Sequence, residues 1–133
     1  MNYKLDLKTI IISAVVFVLV DAIYLNIIGN EYLKMINNIQ GKSGNLKLGS
    51  AVACYIFLVL GLNYFILEPA KKNKKPLKQS LIDAFILGLV IYGVYETTSH
   101  ALFEKWDIKP VIYDTLWGGS LFAISTYIVL KLN

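Results

Sequence analysis

The chain has 133 residues, of which 56% are hydrophobic and only 17% charged, and its mean hydropathy is +0.58. Soluble chains are about 45–50% apolar and about 25% charged, and a unit this small could not bury the excess; the composition points to a membrane protein. Net charge is +4, from 13 basic residues, all lysine, against 9 acidic ones. The lysines are spread over polar connections instead of forming one stripe, so nucleic acid is not an expected partner.

The length accommodates four apolar stretches as one integral unit, residues 1–133, with little left for a soluble domain. Span one is predicted from Thr9 to Ile28, with Asp21 its only formal charge. Lys4 and Lys8 precede it in the charge order of a signal sequence, but the apolar core is long and no small-residue cleavage site follows, so a retained span is expected. Asn30 to Asn45 carries Tyr32, Leu33, Ile36 and Ile39 at roughly helical spacing, which fits either a short interfacial helix or a polar loop with buried anchors.

Span two, Leu48 to Leu67, has no charge; Glu68 and Pro69 close it, and Cys54 within it reads as a small buried apolar side chain. As the sole cysteine, Cys54 can form no internal disulfide. Span three, Leu81 to Phe103, begins near Asp83, read as an acid favoured by a helix N-terminus, and carries Glu96 and His100 in its second half. Glu104 to Pro110, with Trp106 as an interfacial anchor, forms a tight connection to span four, Val111 to Leu130. Segments of about twenty residues are too long for barrel strands, and backbone groups in hydrocarbon must be bonded internally, so the expected fold is an all-α four-helix bundle of two hairpins. Small residues at four-residue spacing offer close helix contacts: Ser80, Ala84 and Gly88; Gly49 and Ala53; Gly119 and Ala123.

Lysines near the span ends set the expected orientation. Lys4, Lys8, Lys71, Lys72, Lys74, Lys75, Lys78 and Lys131 fall on one side, against Lys34, Lys42, Lys47, Lys105 and Lys109 on the other, which puts both termini in the cytoplasm. The run from Lys71 to Lys78 is also a candidate contact for anionic lipid head groups.

With that orientation, Asp21 and Glu96 each lie seven residues before the outer end of their span, and His100 and Asp114 three residues in. The expectation is one polar layer in the outer leaflet. Tyr92, Glu96, Ser99 and His100 share a face of span three, Tyr24 is a turn beyond Asp21, and Trp117 a turn beyond Asp114. Ionisable residues inside a bilayer face a bundle interior or a wet cavity. Asp21, Tyr24, Tyr92, Glu96, Ser99, His100, Asp114 and Trp117 are therefore the candidate buried polar site.

Several chemistries compete for it. Desolvated carboxyls exchanging protons would suit translocation of a proton or small polar solute, and a four-helix chain would then be expected to assemble as a homo-oligomer. Glu96 and His100 with Asp21 or Asp114 resemble a mixed metal-ligand set, but a lone histidine argues against it, and no metal or cofactor is expected. A purely structural hydrogen-bond network would fix helix packing. A lipid-modifying enzyme would use Asp21 or Glu96 as general base, although no nucleophile motif accompanies them.

The residues resemble DUF2177, a family of small predicted membrane proteins of unknown function. The resemblance rests on Asp21 and Tyr24; on Tyr55, Leu60, Gly61, Phe65, Pro69 and Ala70; on Gly88, Tyr92, Tyr95, Glu96, Thr98, Ala101 and Trp106; and most distinctively on Asp114, Trp117 and Gly118. The family pattern has Asp and Asn where this chain has Glu96 and Ser99, and His100 is not part of it. The resemblance implies a four-helix membrane fold and shifts weight to Asp21, Glu96, Asp114 and Trp117, without implying an activity, cofactor or substrate.

Overall fold

A computed structural model describes residues 5–44 and 46–132. Lys4, used in the orientation argument, and Asn45 lie outside them. Among the described residues there are four long helices and no strand. They are α1 (Leu7–Gln40), α2 (Leu48–Lys72), α3 (Leu77–Leu102) and α4 (Ile108–Leu132), each long and apolar enough to cross a membrane.

Helix α1 corrects the sequence reading most. Its 34 residues extend about 51 Å at 1.5 Å per residue, well beyond a hydrocarbon core of about 30 Å. Span one and the expected interfacial segment are one continuous helix. Gly29 alone does not break it, and termination waits for Gly41, whose left-handed φ of 75° closes the end with its N–H on the Asn37 carbonyl. At the start, Asp6 caps the helix by accepting from the Lys8 N–H.

Helix α2 also outruns its predicted end. Residues Asn63–Leu67 form a π-helical stretch, and α-helix resumes through Glu68 and Pro69 to Lys72. Pro69 has no N–H to offer the carbonyl four residues back, and its ring crowds that carbonyl; the wider turn just before it relieves the conflict. Glu68 and Pro69 are thus buried inside a helix instead of closing it.

Helices α3 and α4 make the closest-packed pair. A Cβ on Gly88 would strike the Gly118 carbonyl and Phe122, and one on Gly118 would strike the Tyr92 ring. Ser80, Ala84 and Gly88 are all buried in this seam. The Gly49 and Ala53 pair packs nothing comparable: both residues are exposed, and no neighbour comes within contact of a Cβ at Gly49. Asp83 is no cap, since α3 begins at Leu77; its carboxyl accepts from Lys75 at 3.2 Å and Gln79 at 2.8 Å.

At one end of the bundle, Asp6 at the start of α1 meets the end of α2: Lys71 Nζ donates to Asp6 at 3.2 Å and Thr9 at 2.6 Å. One layer inward, Asn63 donates to Ser13 and to the Val59 carbonyl. The apolar core follows, with Phe17 set edge-on to Phe122 at 5.4 Å between Leu58, Leu62 and Leu121.

Candidate functional site

Above that core the four helices turn polar groups toward one another. Asp21, Tyr24, Ile28 and Tyr32 recur every three or four residues along the inner face of α1. Helix α2 contributes Tyr55, α3 Tyr92 and Glu96, and α4 Asp114 and Trp117. Asp21, Glu96 and Asp114 are 6%, 0% and 8% exposed.

Each carboxyl is met by aromatic donors. Asp21 accepts from the Tyr55 hydroxyl at 2.5 Å through one oxygen and from the Trp117 indole N–H at 3.0 Å through the other. The Trp117 ring lies flat on Tyr24, with centroids 4.7 Å apart and planes within 4°, and the Tyr24 hydroxyl donates to Asp114 at 3.1 Å. Glu96 accepts from Tyr32 at 2.6 Å and from the Trp106 indole at 3.1 Å. Asp114 and Glu96 are held from the same face of α1, by Tyr24 and by Tyr32 about two turns further on. Three acids from three helices therefore form a ladder, Asp21 to Asp114 to Glu96, joined at its lower step by the stacked rings.

A ladder differs from the single layer expected from residue counting. Glu96 bonds Tyr32, eleven residues beyond Asp21 and about 16 Å further along α1. Counting depth from Ile28 placed Asp21 and Glu96 level; α1 continues to Gln40, so that reference point was false.

Of the remaining candidates, Tyr92 packs on Gly118 beside the ladder. Ser99 is buried a turn past Glu96, its carbonyl accepting from the Phe103 N–H at 2.8 Å. His100 is exposed and does not join them. Each four-residue step along a helix drifts by about 40°; Ser99 returns the buried stripe to the seam, and His100 is left outside it. The mixed metal set that needed His100 is not assembled, and no three potential ligands converge among the described residues.

Tyr32, Tyr55 and Trp106 belong to the ladder but were not among the candidates. Tyr32 lies eight residues beyond Tyr24, a helical repeat that shows only if the helix is carried through Gly29. Tyr55 was carried by the resemblance alone. Trp106 reads from sequence as an interfacial anchor, yet it is 4% exposed, set edge-on to Tyr32 and Tyr95.

A cleft of about 530 Å³ opens between α1, α2 and α3 beside Asp114. It exists because α2 leans away: in Leu48–Leu62 only Leu58, Val59 and Leu62 are buried. Tyr24, Tyr32, Tyr92 and Tyr95 line it with aliphatic side chains, and among the described residues Asp114 is the only carboxyl in its wall. Cys54 also reaches this wall and is exposed, contrary to the buried reading.

The fold and the ladder define a multi-pass membrane protein, a four-helix bundle with buried carboxyls held by tyrosine and tryptophan. The family described as "Predicted membrane protein (DUF2177)" matches residues 6–130, and the chain belongs to that family. No curated protein and no solved structure matches it.

Proposed function

We propose that the Glu96–Asp114 pair is a site that binds and releases a proton, exchanging it for a small solute that carries a polar group. The observation that carries this reading is the burial of two carboxyls on facing helices, each met by a tyrosine hydroxyl of α1. Two acids buried close together oppose joint ionisation, through desolvation and like-charge repulsion. Among the described residues no basic side chain lines the cleft to neutralise the pair. The ion pairs Lys71–Asp6, Lys71–Glu68 and Lys75–Asp83 lie at the opposite end of the bundle.

Asp21 has a different role in this reading. Both its oxygens accept from aromatic donors on α2 and α4, which suits a clamp across three helices better than an exchanging site. Beneath it Phe17, Leu62 and Phe122 form an apolar layer. Carriage across the whole bilayer therefore requires a rearrangement or a second copy of the chain, whereas binding requires neither.

Dicyclohexylcarbodiimide tests the proposal, because it enters apolar phases and adds to carboxyl groups in their protonated form. Peptide mass spectrometry is expected to find the adduct on Glu96 or Asp114, not on Asp21, with labelling that falls as pH rises. Absence of an adduct on both residues, or labelling indifferent to pH, defeats the reading.

A further inference from the structure

We infer that the cleft takes an amphiphile with an ammonium head and an apolar body, entering sideways from the bilayer. This rests on the proton-exchange reading and adds the class of solute. Three observations converge on it. The volume, about 530 Å³, is in the range that holds small-molecule ligands, about 300–1,000 Å³. The walls are chiefly aliphatic and aromatic, so a strongly hydrated solute would lose its water without replacement. Among the described residues the one carboxyl in the wall is Asp114, 92% buried, and no lysine or histidine lines the cleft with it.

A site with that charge favours a cation, and the rings say which kind. Tyr24, Tyr32, Tyr92 and Tyr95 surround the space beside Asp114, and tyrosine faces attract alkylammonium groups, most strongly when water is excluded. The apolar body would lie along Leu25, Ile28 and Leu58 toward the lipid. Exchange balances: one positive charge enters as one proton leaves the two acids, so the net charge of the site is unchanged. An anionic head would be repelled, and a neutral one would gain only the apolar contacts.

Cys54, the sole cysteine, lines the cleft and reports on its occupancy. The full-length chain in phosphatidylcholine nanodiscs is treated with methyl methanethiosulfonate, a small uncharged thiol reagent. Dodecyltrimethylammonium, dodecanol or dodecanoate is present at equal mole fraction in the membrane. The ammonium is expected to slow Cys54 modification about tenfold relative to dodecanol, the size of two exposed cation–aromatic contacts. Dodecanoate should protect no better than dodecanol. Asp114→Asn should abolish the advantage of the ammonium, and the comparison of three head groups on the wild-type chain stands even if that variant does not fold. Equal protection by ammonium and alcohol, or none by either, overturns the inference. Carbodiimide labelling of the same sample separates the two levels: an adduct on Glu96 or Asp114 without ammonium-selective protection defeats only the solute class, whereas no adduct defeats both.

Discussion

Trp117 links two acids by two different interactions, its N–H held by Asp21 and its ring held against Tyr24, which in turn serves Asp114. Phenylalanine at this position preserves the stack but removes the donor, leaving one Asp21 oxygen without its partner. Trp117→Phe is expected to lower stability by about 0.6–1.7 kcal/mol, the span measured for hydrogen bonds between membrane helices, as read by equilibrium unfolding in mixed micelles. Asp6, outside the spans, supports a pH prediction. Its hydrogen bonds from Thr9 and then Lys71 hold the carboxyl below its ordinary 3.8. A depressed folded pKa means the stabilisation is fully present above about pH 4 and lost as pH falls through the lower folded value. Unfolding curves of the wild type should show this acid loss, and Asp6→Asn should lack it. The three acids and Trp117 were legible from sequence because charges are costly in hydrocarbon. Trp106 was not, since an indole suits the interface and the interior equally well.

Among the elements, the α3–α4 seam leaves least room for change. Gly88→Ala would press a methyl group onto the Gly118 carbonyl and Phe122, and neither is the free end of a flexible side chain. The helices must part, at a typical overpacking cost of about 1–3 kcal/mol. Loss of thermal stability in detergent should accompany the change, whereas Gly49→Ala, with nothing near its Cβ, should be silent. Sequence identified this seam through the small residues Ser80, Ala84 and Gly88. Helix ends were harder to read. Hydropathy falls at Ile28 and Leu67, but backbone hydrogen bonding does not stop where hydrophobicity does, so α1 and α2 continued to Gly41 and Lys72. The depth comparison inherited the error, and with it the idea of a flat polar layer.

At the scale of the whole molecule, the apolar plug under Asp21 and the cleft above it make the two ends of the bundle unequal. Among the described residues, the end that gathers Asp6, Lys71, Lys75 and Lys131 carries seven lysines against five at the other, and basic residues near span ends are retained in the cytoplasm. Epitope tags at both termini should therefore be protected in intact cells and become accessible together on permeabilisation; a tag exposed without permeabilisation would reverse the orientation.

By itself the sequence determined the solvent, the number of helices and the acids that have to be hidden, because each follows from the free energy of placing a side chain or peptide group in hydrocarbon. Which groups meet those acids depends on how the helices pack. Partner choice depends on axial register and on the lean of α2, which accumulate over whole helices: a helix end displaced by twelve residues pairs Glu96 with Tyr32 instead of placing it level with Asp21. The same lean opens the cleft beside Asp114, a feature that no residue spacing could foretell.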